Sequence, residues 1–492
     1  MTDAEKAGRL VFPGYKFGVD DPARAHALVE LGVGGFCLYG GEIQELASFV
    51  SRLQAKAAAP LLLAADYEDG VFSQCRGGTP LPSNMGLGAS GSEDLAYQKG
   101  EITAIEARAM GVKWVFAPVC DLATLAENPI VNTRAFSSDP RVVTRLARAY
   151  IQGLKSQGVL GCLKHFPGHG ETRQDSHLEL PLVKTARAKM WGRELIPYRE
   201  LAQEASAVMT GHLAVPAMVR NKKTPYSLSD DVARSLRAEM NFSGLVTTDA
   251  LNMQAVAKTY RDLEASRMAL LGGSDILLVP ANPHELVGGL MTAAQQDPGL
   301  ALAAAASFDR LTQAHRGTRL KNGPEPALES VGCQKHRQAA ERMAESCLAW
   351  ARRPALLRKE TLRYWEPEAD SPEQWLGQAF VATLRESGLK VEPFDPARKQ
   401  AKEPLVLGCF LSPRAYSGRI KYAPAEAGLI RAALSRAKRA VVVSFGSPFV
   451  FESLAASGLC AFSSNEPAQK AAARALAGRI KVTGRMPVGL TL

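Results

Sequence analysis

Short apolar runs punctuate the first 280 residues, and stretches with helical spacing separate them. The runs are GGFCLY at 34–39, PLLLAADYE at 60–68, KWVFAPVCDL at 113–122, LGCLKH at 160–165, AVMTGHL at 207–213, GLVTTDA at 244–250 and DILLVP at 275–280. Each is the length of a buried strand. DLAYQKGEITAIEARAMG and PRVVTRLARAYIQGLKSQG, which lie between runs, read as amphipathic helices. Both end in glycine, the residue best suited to the left-handed position after a helix. SLSDDVARSLRAEMNFSG opens on Ser229, Asp230 and Asp231, an N-cap cluster, and also ends near a glycine. Strands alternating with helices predict a parallel sheet. Seven candidate strands and one unread strand suit a (β/α)8 barrel, with an open doubly wound sheet as the alternative.

The polar positions sharpen this reading. Asp66 and Glu68, Asp121, Lys164 and His165, His212, and Asp249 all stand at the C-terminal ends of the runs. In a barrel those ends converge on one mouth, where active sites lie. A second change of pattern comes at 316–332, RGTRLKNGPEPALESVG, where Gly, Pro and charge interrupt the alternation. We read residues 1–318 as the barrel, 319–333 as a linker and 334–492 as a smaller α/β sandwich domain. In the last of these, a helix at about 335–351 precedes the strand runs EPLVLGCFL and AKRAVVVSFGSP and the helical stretches AEAGLIRAALSRAK and EPAQKAAARALAG. The loop SPRAYSGRIKY is a candidate border for the active site or a solvated edge.

Length and composition agree with several folded domains: 492 residues, 46% hydrophobic and 22% charged. The net charge of +10 comes without a long basic block or basic–aromatic alternation, so no nucleic-acid partner is expected. Eight scattered cysteines lack CxxC spacing and several sit in apolar runs, which predicts reduced thiols and a cytoplasmic setting. No signal peptide is visible at the start, and no run is long enough to span a bilayer.

The densest chemistry is KHFPGHGETRQDSH at 164–177, which holds three of the eight histidines. Asp175 and His177, two residues apart, can fold back so that the carboxylate fixes the imidazole tautomer and makes a proton shuttle. A polar loop histidine capped by an aspartate is the plainer alternative. Asp249, ending an apolar strand, needs a partner or a task, or it caps the next helix. His165, His169, Asp175 and His177 are legitimate metal ligands. Pro167, Gly168 and Gly170, however, exclude the helical H-x-x-x-H that such a site favours, so no metal or other cofactor is expected. The absence of a G-x-S-x-G elbow and of a P-loop gives serine hydrolysis and phosphoryl transfer no support.

Together, KHFPGHGETRQDSHLELP, DYEDG at 66–70, NPIVNTRAFSSDP at 128–140 and VTTDALNM at 246–253 resemble, in family order, glycoside hydrolase family 3 and its bacterial β-N-acetylglucosaminidase branch. VVVSFGSPF and AGRIKVTGRMPVGL are similar to that family's C-terminal sandwich domain. The resemblance implies Asp249 as nucleophile, His177 as general acid/base and Asp175 as its partner. It implies that Lys164 and His165 hold sugar hydroxyls, that Asp66 anchors the non-reducing sugar and that Arg134 is the arginine of an R-x-F motif. Two departures stand out. Asp69 replaces a glycine of the family's Glu-Gly-Gly, and the arginine expected shortly afterwards is matched, with shifted spacing, only by Arg76. The implied activity is retaining exo-β-N-acetylglucosaminidase action by double displacement on a small GlcNAc-containing glycoside such as a peptidoglycan or chitin fragment, by a monomer or homodimer. A neutral imidazole base repels an anionic acceptor less than a carboxylate does, so phosphorolysis is the alternative reaction. A non-catalytic sugar-binding barrel is the alternative of another class, against which the complete set Asp175, His177 and Asp249 argues.

Overall fold

In the computed structural model the described residues are 1–491 without 223, 321–323, 355–360, 396–402 and 414–418. They form two compact units. The first joins Met1–Thr79, Ala96–Leu122 and Thr144–Cys333, and the second joins Pro80–Leu95, Ala123–Val143 and Gln334–Leu492.

In the first unit, β1 (Val11–Phe12) and β2 (Gly14–Lys16) flank Pro13, and are followed by β3 (Gly35–Tyr39), β4 (Leu62–Ala65) and β5 (Trp114–Val115). β6 (Cys162–Phe166), β7 (Ala207–Thr210), β8 (Leu245–Thr248) and β9 (Leu277–Leu278) complete the set. Every pairing is parallel. β2, β3, β4 and β5 are neighbours, as are β6, β7 and β8, and β9 pairs with β1. Bridges Trp114–Leu160 and Thr247–Ile276 link the groups. With β1 and β2 counted as one strand broken at Pro13, eight strands close on themselves as a (β/α)8 barrel. The broken strand is the one the apolar pattern does not show, because Pro13 cannot donate to a ladder and interrupts the run.

The strands pack around one buried cluster that includes Phe12, Phe36, Leu63, Trp114, Cys162, Met209 and Ile276. Close strand approach selects glycine at the head of β3: a Cβ on Gly35 would lie 1.9 Å from the Leu62 carbonyl oxygen. Helices Glu93–Ala109 and Pro140–Ser156 stand where the periodicity places them. Gly111 and Gly158, just beyond them, take φ of +82° and +61°. The stretch at 227–244 is different. A short α-helix, Asp231–Ala233, continues as a π-helix, Arg234–Glu239, and the left-handed residue after it is Asn241 rather than the later glycine.

The segment expected as a linker is held in its described part. Glu325 pairs with Arg108 (2.6 Å) and Lys113 (3.3 Å), and Gly332 donates its amide to Glu106. Glu106 also accepts from the amide and hydroxyl of Thr79 at 2.9 and 2.5 Å.

The second unit carries a six-stranded sheet. Its strands are β10 (Ala349–Arg352), β11 (Thr361–Trp365), β12 (Lys390–Pro393), β13 (Leu405–Cys409), β14 (Ala440–Ser444) and β15 (Gly458–Cys460). They lie in the order β10-β15-β14-β13-β11-β12, with only the β10–β15 pair antiparallel. Helices Pro424–Arg436 and Glu466–Leu476 agree with their sequence patterns. One cluster of this unit's core draws on Met85, Ala89, Val131 and Ala135 as well as Leu407, Val442 and Phe451. Of the SPRAYSGRIKY loop, residues 414–418 lie outside the described residues. The eight cysteines are free thiols. No helix among the described residues is long and apolar enough to cross a membrane.

Candidate active site

The C-terminal ends of the barrel strands carry the polar residues. Asp66 follows β4, Lys164 and His165 lie within β6, His212 comes two residues after β7 and Asp249 follows β8 directly. The Lys164 amine, 2% exposed, lies 2.7 Å from Asp66 Oδ1 and 2.5 Å from Glu68 Oε1. A buried ammonium shared by two carboxylates is compensated, and it fixes both acids on one strand-end loop. The Lys164–His165 peptide bond is cis.

Asp121 anchors the next part of the mouth. Buried after β5, it accepts from the His165 ring Nδ1 at 2.7 Å and from the His169 amide at 2.6 Å. Burial alone would raise its carboxyl, but the neighbouring His165, its hydrogen bond and His169 hold it below the usual carboxylate range. Donation to Asp121 places the His165 proton on Nδ1 and sets the ring plane.

The loop after β6 is braced from within. His169 is 1% exposed. Its Nδ1 donates to Thr172 Oγ1 at 2.7 Å, and its Nε2 accepts from the Ser176 hydroxyl at 3.1 Å. This histidine therefore serves the loop's own packing. Arg193 joins Glu171 at 2.6 Å and also pairs with Glu194. Farther along, Asp175 Oδ1 accepts both the amide (2.8 Å) and the ring Nδ1 (2.7 Å) of His177, whose side chain is 25% exposed. The i, i+2 fold-back expected from the spacing is present, and it engages Nδ1 rather than Nε2.

Asp249 sits among three imidazoles. Burial would push its carboxyl up, but the neighbouring His165, His212 and His177 and the Ala250 amide, 2.8 Å from Oδ1, hold it below the usual range. Its own amide donates to Thr210 O, tying it to the end of β7. Fully buried His212 accepts from the Ser227 hydroxyl at Nδ1 (2.6 Å) and donates from Nε2 to Ala250 O (3.0 Å). Its burial lowers its basicity, more than nearby Asp249 raises it. Through these two hydrogen bonds His212 orients the peptide that follows Asp249. The sequence marked His212, Asp121 and Glu68 as polar strand ends, but gave no sign that each holds a neighbour in this mouth.

Arg76 and Arg134 are not at strand ends. The Arg76 side chain is 88% exposed, its ion pair is with Glu42 at 3.6 Å, and its backbone bridges to Glu42. The 3-10 turn Val71–Ser73 lies between it and Asp66 and carries the chain past the mouth. The loop meets a buried cation from the helix Glu93–Ala109: Lys99, which is 0% exposed, lies 2.9 Å from Asp69 Oδ1. Gly70 takes φ of +82°, which requires glycine there, whereas Asp69 has no positive φ and is free to carry a side chain. Arg134 belongs to the second unit, on the turn Asn132–Arg134, and its guanidinium donates to Ile130 O at 3.2 Å. Among the described residues no group of three or more His, Cys, Asp and Glu is arranged to hold a metal ion.

Comparison with known proteins agrees with this picture. A β-N-acetylglucosaminidase/β-glucosidase of Cellulomonas fimi is 29% identical over 80% of this chain and 75% of its own length. A β-hexosaminidase of Alkalilimnicola ehrlichii is 34% identical over 54% of this chain and 79% of its own. The structure of a family 3 β-N-acetylglucosaminidase from Paenibacillus superposes with a TM-score of 0.86 at 28% identity, over 100% of this chain and 99% of the other. Residues 4–307 match the description "Glycosyl hydrolase family 3 N terminal domain". With more than half of its length in that match, and with the motif order and barrel that go with it, the chain belongs to glycoside hydrolase family 3.

Proposed function

We propose that the protein is a retaining, exo-acting β-N-acetylglucosaminidase that hydrolyses terminal β-linked GlcNAc by double displacement. The observation that carries this reading is that His177, whose ring is oriented by Asp175, is among the groups near enough to Asp249 to hold its carboxyl below the usual range. In the first step Asp249 attacks the anomeric carbon while His177 Nε2 protonates the leaving oxygen, giving a glycosyl ester. In the second, His177 takes a proton from water, which attacks the same carbon and releases Asp249. Asp175 stabilises the imidazolium between the steps, as a carboxylate on Nδ1 does. Asp66, Lys164 and His165 hold sugar hydroxyls. Relatives named for β-N-acetylglucosaminidase and β-hexosaminidase activity support the choice of sugar. Peptidoglycan or chitin-type fragments met in the cytoplasm are the proposed substrates.

The test is a panel of aryl β-glycosides of GlcNAc and glucose, assayed with and without phosphate, with product anomers followed by NMR. Release of β-GlcNAc as the first product is expected. Inverted product, or no turnover of any glycoside, overturns the reading. A phosphate-dependent sugar 1-phosphate would replace hydrolysis by phosphorolysis on the same two residues.

A further inference from the structure

The loop bearing His177 leaves β6 and has to lie opposite Asp249, which belongs to the loop after β8. At its root the loop is braced by His169 and by the Arg193–Glu171 pair. Farther on, Leu182 bridges to Ala214 and Val183 donates to Ala214 O. Between these two fixed points, the residue immediately after His177 meets the loop that carries Asp249: Lys258 Nζ donates to the Leu178 carbonyl oxygen at 2.8 Å. Lys258 caps the short helix Gln254–Ala257 that begins five residues after Asp249, and it is exposed. Leu178 is 47% exposed, so apolar burial does little to hold this point of the loop.

We infer that Lys258 is a positioning residue, a latch that joins the nucleophile loop to the acid/base loop and sets the reach of His177 toward the leaving oxygen. The inference rests on the roles proposed for Asp249 and His177. A charge-assisted hydrogen bond from an ammonium to a carbonyl is stronger than a neutral one, and here such a bond joins the two loops. Lys258 touches no reacting atom in this role. Its loss lets the imidazole sample positions from which proton transfer fails, while Asp249 stays in place. The consequence therefore depends on how much protonation the leaving group needs.

The experiment compares Lys258→Met, Lys258→Arg, His177→Ala and the unaltered protein on aryl β-N-acetylglucosaminides that run from dinitrophenyl to alkyl-substituted phenyl. Lys258→Met is expected to lose about five- to tenfold in kcat/KM on the poorest leaving groups, the scale of one exposed charge-assisted hydrogen bond. It should lose little on dinitrophenyl, and Lys258→Arg should restore most of the difference. Amide exchange over 176–183 should be faster in Lys258→Met. Because Lys258 is exposed, the variant is expected to fold. Equal loss on every leaving group, or none on any, overturns the latch. If His177→Ala itself shows no leaving-group dependence, the acid/base assignment falls and the latch falls with it. If His177→Ala shows that dependence and Lys258→Met does not, the latch alone is wrong.

Discussion

A single oxygen of Asp175 holds His177 twice, through the backbone amide at 2.8 Å and through ring Nδ1 at 2.7 Å. The first bond shapes the turn and the second orients the ring, so the two contributions can be separated. Asp175→Asn keeps an oxygen for the amide but loses the negative charge beside the ring. We expect a loss of roughly 10²–10⁴ in kcat/KM on substrates with poor leaving groups, the range for a displaced general acid. Far-UV circular dichroism should be unchanged. A loss below threefold would show that the pair serves only the loop.

Asp249→Ala is expected to abolish turnover on every leaving group, because no leaving group replaces a nucleophile. In the unaltered protein, a 2-fluoro sugar with a good leaving group should accumulate as an ester. Peptide mass spectrometry should place the added mass on Asp249.

Lys164→Met removes the ammonium that Asp66 and Glu68 share. Two carboxylates then face each other across a buried methionine. The cost expected is about 2–4 kcal/mol, below the full value for a buried pair because Asp66 is 30% exposed. Calorimetry should show a lower Tm, and KM should rise where the protein still folds. An unchanged Tm would mean that the two acids are accommodated without the lysine.

The acid limb of the pH profile has a definite sign. Asp249 is held below the usual carboxylate range, so its protonation should not be what sets the acid limb of kcat/KM for a substrate with an activated leaving group; an acid limb unchanged in His177→Ala would contradict this. Stability runs the other way for the buried histidines. Burial, with Arg9 and Lys113 nearby, lowers His315 to about 4, while the unfolded chain titrates near pH 6.5. A lowered histidine costs nothing above pH about 6.5. Below that, the unfolded state gains protons first, so stability declines by up to roughly 1.4 kcal/mol per pH unit until the folded group titrates too. His315→Gln should flatten the urea-midpoint curve between pH 6.5 and 4. An unchanged slope would leave His315 out of the acid response.

Much of the barrel was legible because its strands are continuous apolar runs with polar ends, as buried parallel strands must be. The strand around Pro13 was not, since a proline there erases the run that marks a strand. Within the site, the Asp175–His177 pair could be read from local spacing. The Lys99–Asp69 pair, the hold of His212 on Ala250 and the reach of Lys258 to Leu178 could not, because each joins residues far apart in the chain. In the second unit, β10, β11, β12 and β15 escaped the pattern because three are half-polar or short and β11 alternates with its buried face.

The chain is not laid down in the order in which its cores close. Met85, Ala89, Val131 and Ala135 are synthesised within the first third of the chain, yet the cluster that buries them also contains Val442, Phe451 and Phe462. As the chain leaves the ribosome, the barrel strands can pair while these side chains still wait for partners that emerge last. A chain stopped at Cys333 would keep them waiting permanently, with apolar surface open to water and to one another. Such a truncation is expected to aggregate rather than give a free-standing barrel, as sedimentation of the expressed fragment would show. Timing in synthesis, as much as the final contacts, therefore bears on whether this chain reaches its fold.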